Sequence, residues 1–200
     1  MADFTLKDYA LTDLYRLKLF FNLTSEEEDS QDNVFIQWIN SISREIMGLT
    51  KRNFKLTTYT EEAKPSNTRN LILNQRPITN ITSIKVGDSD ITDFKLTDES
   101  KLQGVVLRDY GWCYSYYIDV VYEAGYILPR EATGETYTLP DELEQVVFDV
   151  IADLIAMEEK DSRILSKITE GEVTYEFRKF VKGRLAEYMT AINLNSDVLV

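Results

Sequence analysis

The sequence has 200 residues, of which 44% are hydrophobic and 12% aromatic, and its 22 basic and 34 acidic residues give a formal net charge of -12. It contains no histidine and one cysteine, which excludes Ser-His-Asp and Cys-His catalytic arrangements, His-containing or all-Cys zinc sites and iron-sulfur clusters. The net negative charge has the wrong sign for a protein that binds phosphate backbones by counterion release, so a direct hold on DNA is not expected.

The composition indicates a folded protein without a membrane-spanning segment. The apolar and aromatic content argues against disorder. No run approaches the roughly 18 to 20 apolar residues that a membrane helix requires. The first residues, Met-Ala-Asp-Phe-Thr-Leu-Lys-Asp, lack a basic region followed by an apolar core. We therefore expect no secretory signal, no membrane partner and initial folding in a cytoplasm.

The first predicted helix covers about residues 12–23, with Thr12 able to act as its N-cap. Its apolar residues are Leu14, Leu17, Leu19, Phe20 and Phe21. An acidic run over residues 25–32 follows. Ser25 and Glu28 have capping-box spacing, but a solvated loop explains the same run equally well.

The second predicted helix covers about residues 33–50 and has one broad apolar face. Val34, Trp38, Ile42 and Ile46 recur every four residues, which is the helical period. Gly48 and the cations that follow it fit a helix C-terminus.

The middle third is a β-rich insertion over about residues 56–126. Short runs of β-branched and aromatic residues alternate with Asn, Asp, Gly and Ser clusters, which predicts five or six short antiparallel strands. The clearest turn is Gly87-Asp88-Ser89-Asp90. Asp88, Asp90 and Asp93 also have ligand-like spacing for a hard cation. The glycine of a calcium loop is missing after them, so we favour a hairpin turn and expect neither a metal nor a cofactor.

Two further helices are predicted at about residues 140–161 and 174–193, followed by an extended tail. Pro140 suits a first helical position, and the acidic residues just after it complement the helix dipole. Helices at both ends around a β-rich middle predict an α+β fold, in which the terminal helices pack as a small helical bundle. No repeat or linker divides the chain, so we expect a single domain over residues 1–200.

Four segments of the sequence carry a family resemblance. The run from Leu71 to Ile84 is Leu-Ile-Leu-Asn-Gln-Arg-Pro-Ile-Thr-Asn-Ile-Thr-Ser-Ile, and the segment from Val120 to Tyr126 is Val-Val-Tyr-Glu-Ala-Gly-Tyr. A helix start follows at Leu139, Pro140 and Leu143. Residues of the second predicted helix and of the segment just after it also match the family and come before these segments in the chain: Ile39, Ile42, Ile46, Thr50, Arg52 and Phe54. In this order, the segments resemble the bacteriophage head-tail connector (adaptor) family.

The resemblance implies function by assembly rather than by catalysis. About a dozen copies would form a ring that joins the portal protein to the next neck or tail protein. Genomic DNA would pass through the ring only as cargo. The implied location is the virion neck, after assembly in the host bacterial cytoplasm. A tail-completion or stopper protein of the neck is the alternative, and a carboxylate-dependent hydrolase is a more distant one.

Opposite charge on the last two predicted helices suggests an intersubunit contact. Residues 141–161 hold eight acidic residues and one basic residue, whereas residues 163–184 hold six basic and three acidic residues. We hypothesise that Arg178, Lys182 and Arg184 face acidic residues of an adjacent subunit and set the register of the ring. Ordinary exposed helix charge is the alternative.

Two more surfaces follow from the same reasoning. Glu142, Asp149 and Asp153 fall on one polar helix face and would line the DNA channel, where negative charge keeps phosphates from adhering; a solvated face explains them too. The tail from Asn193, with Val198, Leu199 and Val200, is a candidate portal-docking segment. A frayed end is the alternative for this tail.

Overall fold

The computed structural model of the chain describes residues 5–23, 31–112, 117–131, 137–158 and 175–194. It confirms the α+β fold class. The helices are α1 Leu14–Phe20, α2 Asp32–Thr50, α3 Asp98–Gln103, α4 Asp141–Glu158 and α5 Tyr175–Leu194, with one 3-10 turn at Pro129–Glu131. The strands are β1 Thr57–Ala63, β2 Asn70–Ile72, β3 Ile78–Val86, β4 Ser89–Asp90, β5 Val105–Leu107 and β6 Ile118–Ala124.

The chain divides into two compact units. Among the described residues, the helical unit comprises 5–23, 31–51, 128–131, 137–158 and 175–194, and the β unit comprises 52–112 and 117–127. The helical unit holds α1, α2, α4 and α5, so the terminal helices do pack together. The expectation that residues 1–200 form a single domain stays a prediction.

Helix α1 is shorter than the sequence predicted, and its cap is a different residue. Asp13 is the N-cap, because its carboxylate accepts the Arg16 N–H at 2.8 Å. The assignment of Thr12 as the cap was therefore wrong. Thr12 is instead buried, and its hydroxyl donates to Glu144 Oε1 at 2.6 Å. The helix begins at Leu14, so Asp13 is the flanking residue whose side chain reaches the free amides of the first turn, and Thr12 lies one position too early.

Helix α2 follows its predicted bounds and buries its apolar face. Its buried apolar residues are Phe35, Trp38, Ile39, Ile42 and Ile46. Gly48 lies inside the helix rather than at its end. The helix ends at Lys51, which adopts the left-handed conformation with φ 54°. The acidic run that precedes α2 lies almost entirely outside the described residues.

Helices α4 and α5 complete the helical unit. Pro140 directly precedes α4, as predicted, and α4 buries Leu143, Val146, Val147, Val150, Ile151 and Leu154. Helix α5 places Val181 and Leu185 in the same core. It continues to Leu194, so Asn193 lies in a helix and not in an extended tail.

A buried carboxylate joins α1 to the start of α4. Glu144 is only 3% exposed. Arg16 binds it through two parallel hydrogen bonds, from Nε to Oε1 at 2.6 Å and from Nη2 to Oε2 at 2.5 Å, a bidentate geometry that is stronger than a single bond. Arg16 also stacks over the Tyr137 ring and donates to its hydroxyl. Hydrogen bonding to Glu144 raises the pKa of Arg16. We call these residues, with Thr12, the Glu144 cluster.

The β unit contains two antiparallel sheets. The larger has the strand order β1-β6-β3-β4, and the smaller pairs β2 with β5. The predicted turn is confirmed, since Val86 pairs with Ser89 across Gly87, which has φ 59°. Helix α3 was not predicted. Phe94 and Leu96, within the predicted β-rich insertion, lie outside the strands beside an isolated bridge from Lys95 to Leu107.

The motif residues that carry the family resemblance form the core of the β unit. Leu71, Leu73, Ile78 and Ile84 are buried, together with Trp112, Ile118, Val120 and Tyr122. Gly125 has φ 112°, and a Cβ there would lie 2.5 Å from the Lys55 carbonyl oxygen. Only glycine tolerates that combination of conformation and close approach.

The Glu144 cluster predicts a large stability difference between neighbouring carboxylates of α4. Replacing Glu144 with alanine leaves Arg16 and Thr12 without their partner, so we expect Glu144→Ala to lower the free energy of unfolding by roughly 3 kcal/mol. Urea denaturation followed by circular dichroism measures it. Glu142→Ala, in the same first turn but exposed, is the matched control and should cost less than about 1 kcal/mol. Equal losses for the two variants would contradict a structural role for the buried carboxylate.

Candidate assembly surfaces

The outer side of α1 carries an exposed apolar stripe, which we define as Tyr15, Leu19, Phe20 and Leu23. Tyr15 is 75% exposed, and Leu19, one turn further along, is 63% exposed. Phe20 and Leu23 are about two-fifths exposed at 42% and 41%. The sequence predicted a helix that carries Leu19 and Phe20 among its apolar residues, and of the α1 residues Leu17 is the buried one.

The basic side chains of α1 pair with acidic residues of the same chain, away from this stripe. Arg16 belongs to the Glu144 cluster, and Lys18 pairs with Asp32 at 2.7 Å, both side chains being mostly buried. Phe20 stacks on Phe148 with ring centroids 4.7 Å apart. The stripe therefore lies on a helix whose cations are held by its own chain. Exposed apolar side chains grouped on and just after one short helix are a candidate protein-protein contact.

The predicted intersubunit cations lie on α5, and two of them contact acidic residues of the same chain. Arg184 donates to Asp153 on α4 and to Glu187, each at 2.7 Å. Hydrogen bonding to Asp153 raises the pKa of Arg184. Lys182 Nζ lies 3.7 Å from a carboxylate oxygen of Glu45 on α2. Arg178 lies in α5, and its side chain is outside the described residues. The intersubunit role of these cations stays a prediction.

The predicted channel-lining carboxylates of α4 have three different environments. Glu142 is exposed, whereas Asp149 is half-buried and accepts a hydrogen bond from Gln145 Nε2 at 2.8 Å. Asp153 is the partner of Arg184. The structure thus brings together one residue predicted for the subunit interface and one predicted for the channel. Whether the α4 face lines a channel stays a prediction.

The third predicted surface is the tail after α5. Asn193 lies in α5, while Val198, Leu199 and Val200 are outside the described residues. Its role in portal docking stays a prediction.

Two of the three aspartates with ligand-like spacing lie beside basic side chains of the same chain. Asp93 pairs with Arg108 at 3.0 Å, and Asp90 lies 3.7 Å from Lys85 Nζ. Within the described parts of the chain, no group of three or more acidic or cysteine side chains could hold a metal. None of the described helices is long and apolar enough to cross a membrane.

Comparison with known proteins gives a family and two similar structures. The family model described as "Head completion protein" matches residues 10–170. A chain of "Neck of empty GTA particle computed with C6 symmetry" is 12% identical, with a TM-score of 0.48, and the match covers 74% of this chain and 78% of that one. A chain of "Virion of native gene transfer agent (GTA) particle" is 12% identical, with a TM-score of 0.47 and coverage of 74% and 79%. No curated protein matches the chain.

The pairing of Arg184 with Asp153 predicts a charge-swap result. Arg184→Asp places a carboxylate beside Asp153, so the repulsion should lower the melting temperature of the protein by a few degrees. Adding Asp153→Arg restores the pair in reverse order and should recover most of the loss. Thermal unfolding at low salt measures both, because added salt screens the contact.

Lys179→Asp, at an exposed position of the same helix, controls for the change in net charge. A double variant no more stable than Arg184→Asp alone would show that the intrachain pair contributes nothing.

Proposed function

This chain belongs to the head completion protein family, and on that premise we propose that it forms a ring joining the portal protein to the next neck or tail protein. Family membership confirms the resemblance to bacteriophage head-tail connector proteins, and the protein is a structural component of the phage virion. The ring of about a dozen copies, its place in the neck and its assembly in the host cytoplasm belong to the proposal.

The observation that carries this proposal is the apolar stripe of α1. A helix that directs its cations inward and exposes Tyr15 and Leu19 to water gains free energy when another protein surface covers them. A repeated contact between copies would cover one stripe per subunit. Heterologous contacts of this kind close into rings when the rotation between neighbours allows it.

The charge of the chain fits DNA as passing cargo. A net charge of -12 repels phosphates, so a duplex can move past such a surface without adhering. We propose Glu142 as the α4 carboxylate best suited to face the channel, because it is exposed and the other two are engaged with Gln145 and Arg184.

We propose that the protein is not an enzyme. Among the described residues, Glu144 is the one acidic side chain that is buried, and both of its oxygens accept hydrogen bonds from Arg16. A carboxylate pair for hydrolysis needs one group free to move a proton and a second facing it across a cleft. Glu144 meets neither condition.

Two further contacts complete the proposal. Lys182 is more than half exposed despite its proximity to Glu45, so it and Arg178 are the cations that we propose for register between subunits. The tail with Val198, Leu199 and Val200 would dock on a neighbouring molecule of the assembly, either the portal or a second copy of the chain. A tail-completion or stopper role in the neck is the alternative, and portal affinity separates it from a connector.

The stripe predicts an assembly defect without a folding defect. Tyr15→Ser with Leu19→Ser removes two large apolar side chains from the contact, so we expect at least a hundredfold weaker ring formation on the cognate portal. Electron microscopy of the purified chain mixed with its portal measures the fraction of portals that carry rings. Circular dichroism shows whether the variant keeps its fold.

Leu102→Ser is the matched control, because Leu102 is a 60% exposed leucine on α3 in the β unit. Unchanged ring formation by the double variant would remove the stripe from the proposal. A wild-type chain that ignores the portal altogether would overturn the proposed function itself.

A further inference from the structure

The hairpin of β3 and β4 leaves most of one β3 edge without a strand partner. Strand β4 pairs only with Lys85 and Val86. The Ile91 N–H then donates to the Ile84 carbonyl at 2.8 Å. Beyond that point the chain turns away, and Lys95 exchanges two hydrogen bonds with Leu107 beside the smaller sheet. Within the described residues, no strand pairs with β3 from Ile78 to Ser83 on this side.

A groove opens where the two chain segments separate. Its volume is about 460 Å³, and its lining residues are Thr82, Ser83, Ile84, Asp90, Ile91, Thr92 and Phe94. Three of the side chains are apolar and pack toward the core of the β unit. Three carry hydroxyl groups, and Asp90 is offset by the nearby Lys85. The groove thus combines an apolar base with a rim of small hydrogen-bonding groups.

The two sides of β3 differ beside the groove. On the β6 side the strand is paired, with a register shift between Ile81 and Ser83. On the groove side, Ile78 to Ser83 have no strand partner within the described residues. An open edge with apolar pockets for alternate side chains is the arrangement that accepts an added strand.

We propose that this groove receives the segment Asn195 to Val200 of a second copy, which adds as a strand along β3. The inference rests on the proposed ring, because each subunit then offers one segment and one groove to different neighbours. That relation is heterologous and can propagate around a closed ring.

The chemistry of the segment suits the groove. Its sequence is Asn-Ser-Asp-Val-Leu-Val, which has two β-branched residues and no proline to interrupt hydrogen bonding. In an extended strand, Val198 and Val200 point to the same side, so both enter the groove while Leu199 faces away. The segment follows α5 directly, since that helix ends at Leu194.

Disulfide trapping tests which chain supplies the strand. The full chain carries Thr82→Cys and Val198→Cys, with Cys113→Ser to remove the native thiol, and is oxidised with copper phenanthroline on its portal. We expect a ladder of covalent oligomers on a non-reducing gel. A cross-linked monomer would show that a chain fills its own groove, and no cross-link would show that the segment lies elsewhere; either result overturns the inference.

A peptide experiment tests the groove without any ring. The full chain with Val198→Asp and Val200→Asp, which disable its own segment, is titrated with a synthetic peptide of residues 193–200 and followed by NMR. We expect shifts at Thr82 and Phe94, and about tenfold weaker binding when Thr92→Trp fills the groove. Thr58→Trp, at an exposed position of the other edge strand β1, is the matched control and should not alter binding.

The two proposals can fail separately. If rings form on the portal but the peptide does not bind and no covalent ladder appears, the proposed function stands and the strand addition is overturned. Equal weakening by Thr92→Trp and Thr58→Trp would also overturn it, because the effect would not belong to the groove. Peptide binding at the groove with no rings on the portal would overturn the ring and, with it, the exchange between copies.

Discussion

The helical unit depends on one buried carboxylate. Glu144 lies in the first turn of α4, where burial of an unpaired charge would cost several kcal/mol. Arg16 and Thr12 satisfy its oxygens from more than a hundred residues earlier in the chain. Because a bidentate guanidinium accepts only a narrow range of geometries, this contact sets both the position and the rotation of α1.

The rotation of α1 explains its exposed surface. The Glu144 cluster and the Lys18 pair with Asp32 hold the cations of α1 against the protein. The opposite side is then left with Tyr15 and Leu19, which are apolar and mostly exposed. Helix α1 thereby exposes an apolar surface while Arg16 and Lys18 remain paired with acidic residues. That is the property expected of a contact between subunits rather than of a surface that stays in water.

Opposite charges on α4 and α5 pair with each other within one chain. The acidic and basic helices are neighbours, and Arg184 meets Asp153 directly. Partial burial, with the carboxylates of Asp149 and Asp153 nearby, raises the pKa of Tyr188 on the same side of α5. Opposite charge on two segments of a sequence therefore identifies a contact, but it does not say whether one chain or two chains make it.

The sequence by itself determined the elements whose signal is local. The four-residue period of α2, Pro140 before α4 and the Gly87 turn all followed from neighbouring residues. Tertiary structure alone decided which side of α1 is buried, that Asp13 rather than Thr12 caps it, and which carboxylate Arg184 binds. Periodicity reports that a helix has an apolar side, whereas pairing across more than a hundred residues depends on how the chain returns to itself.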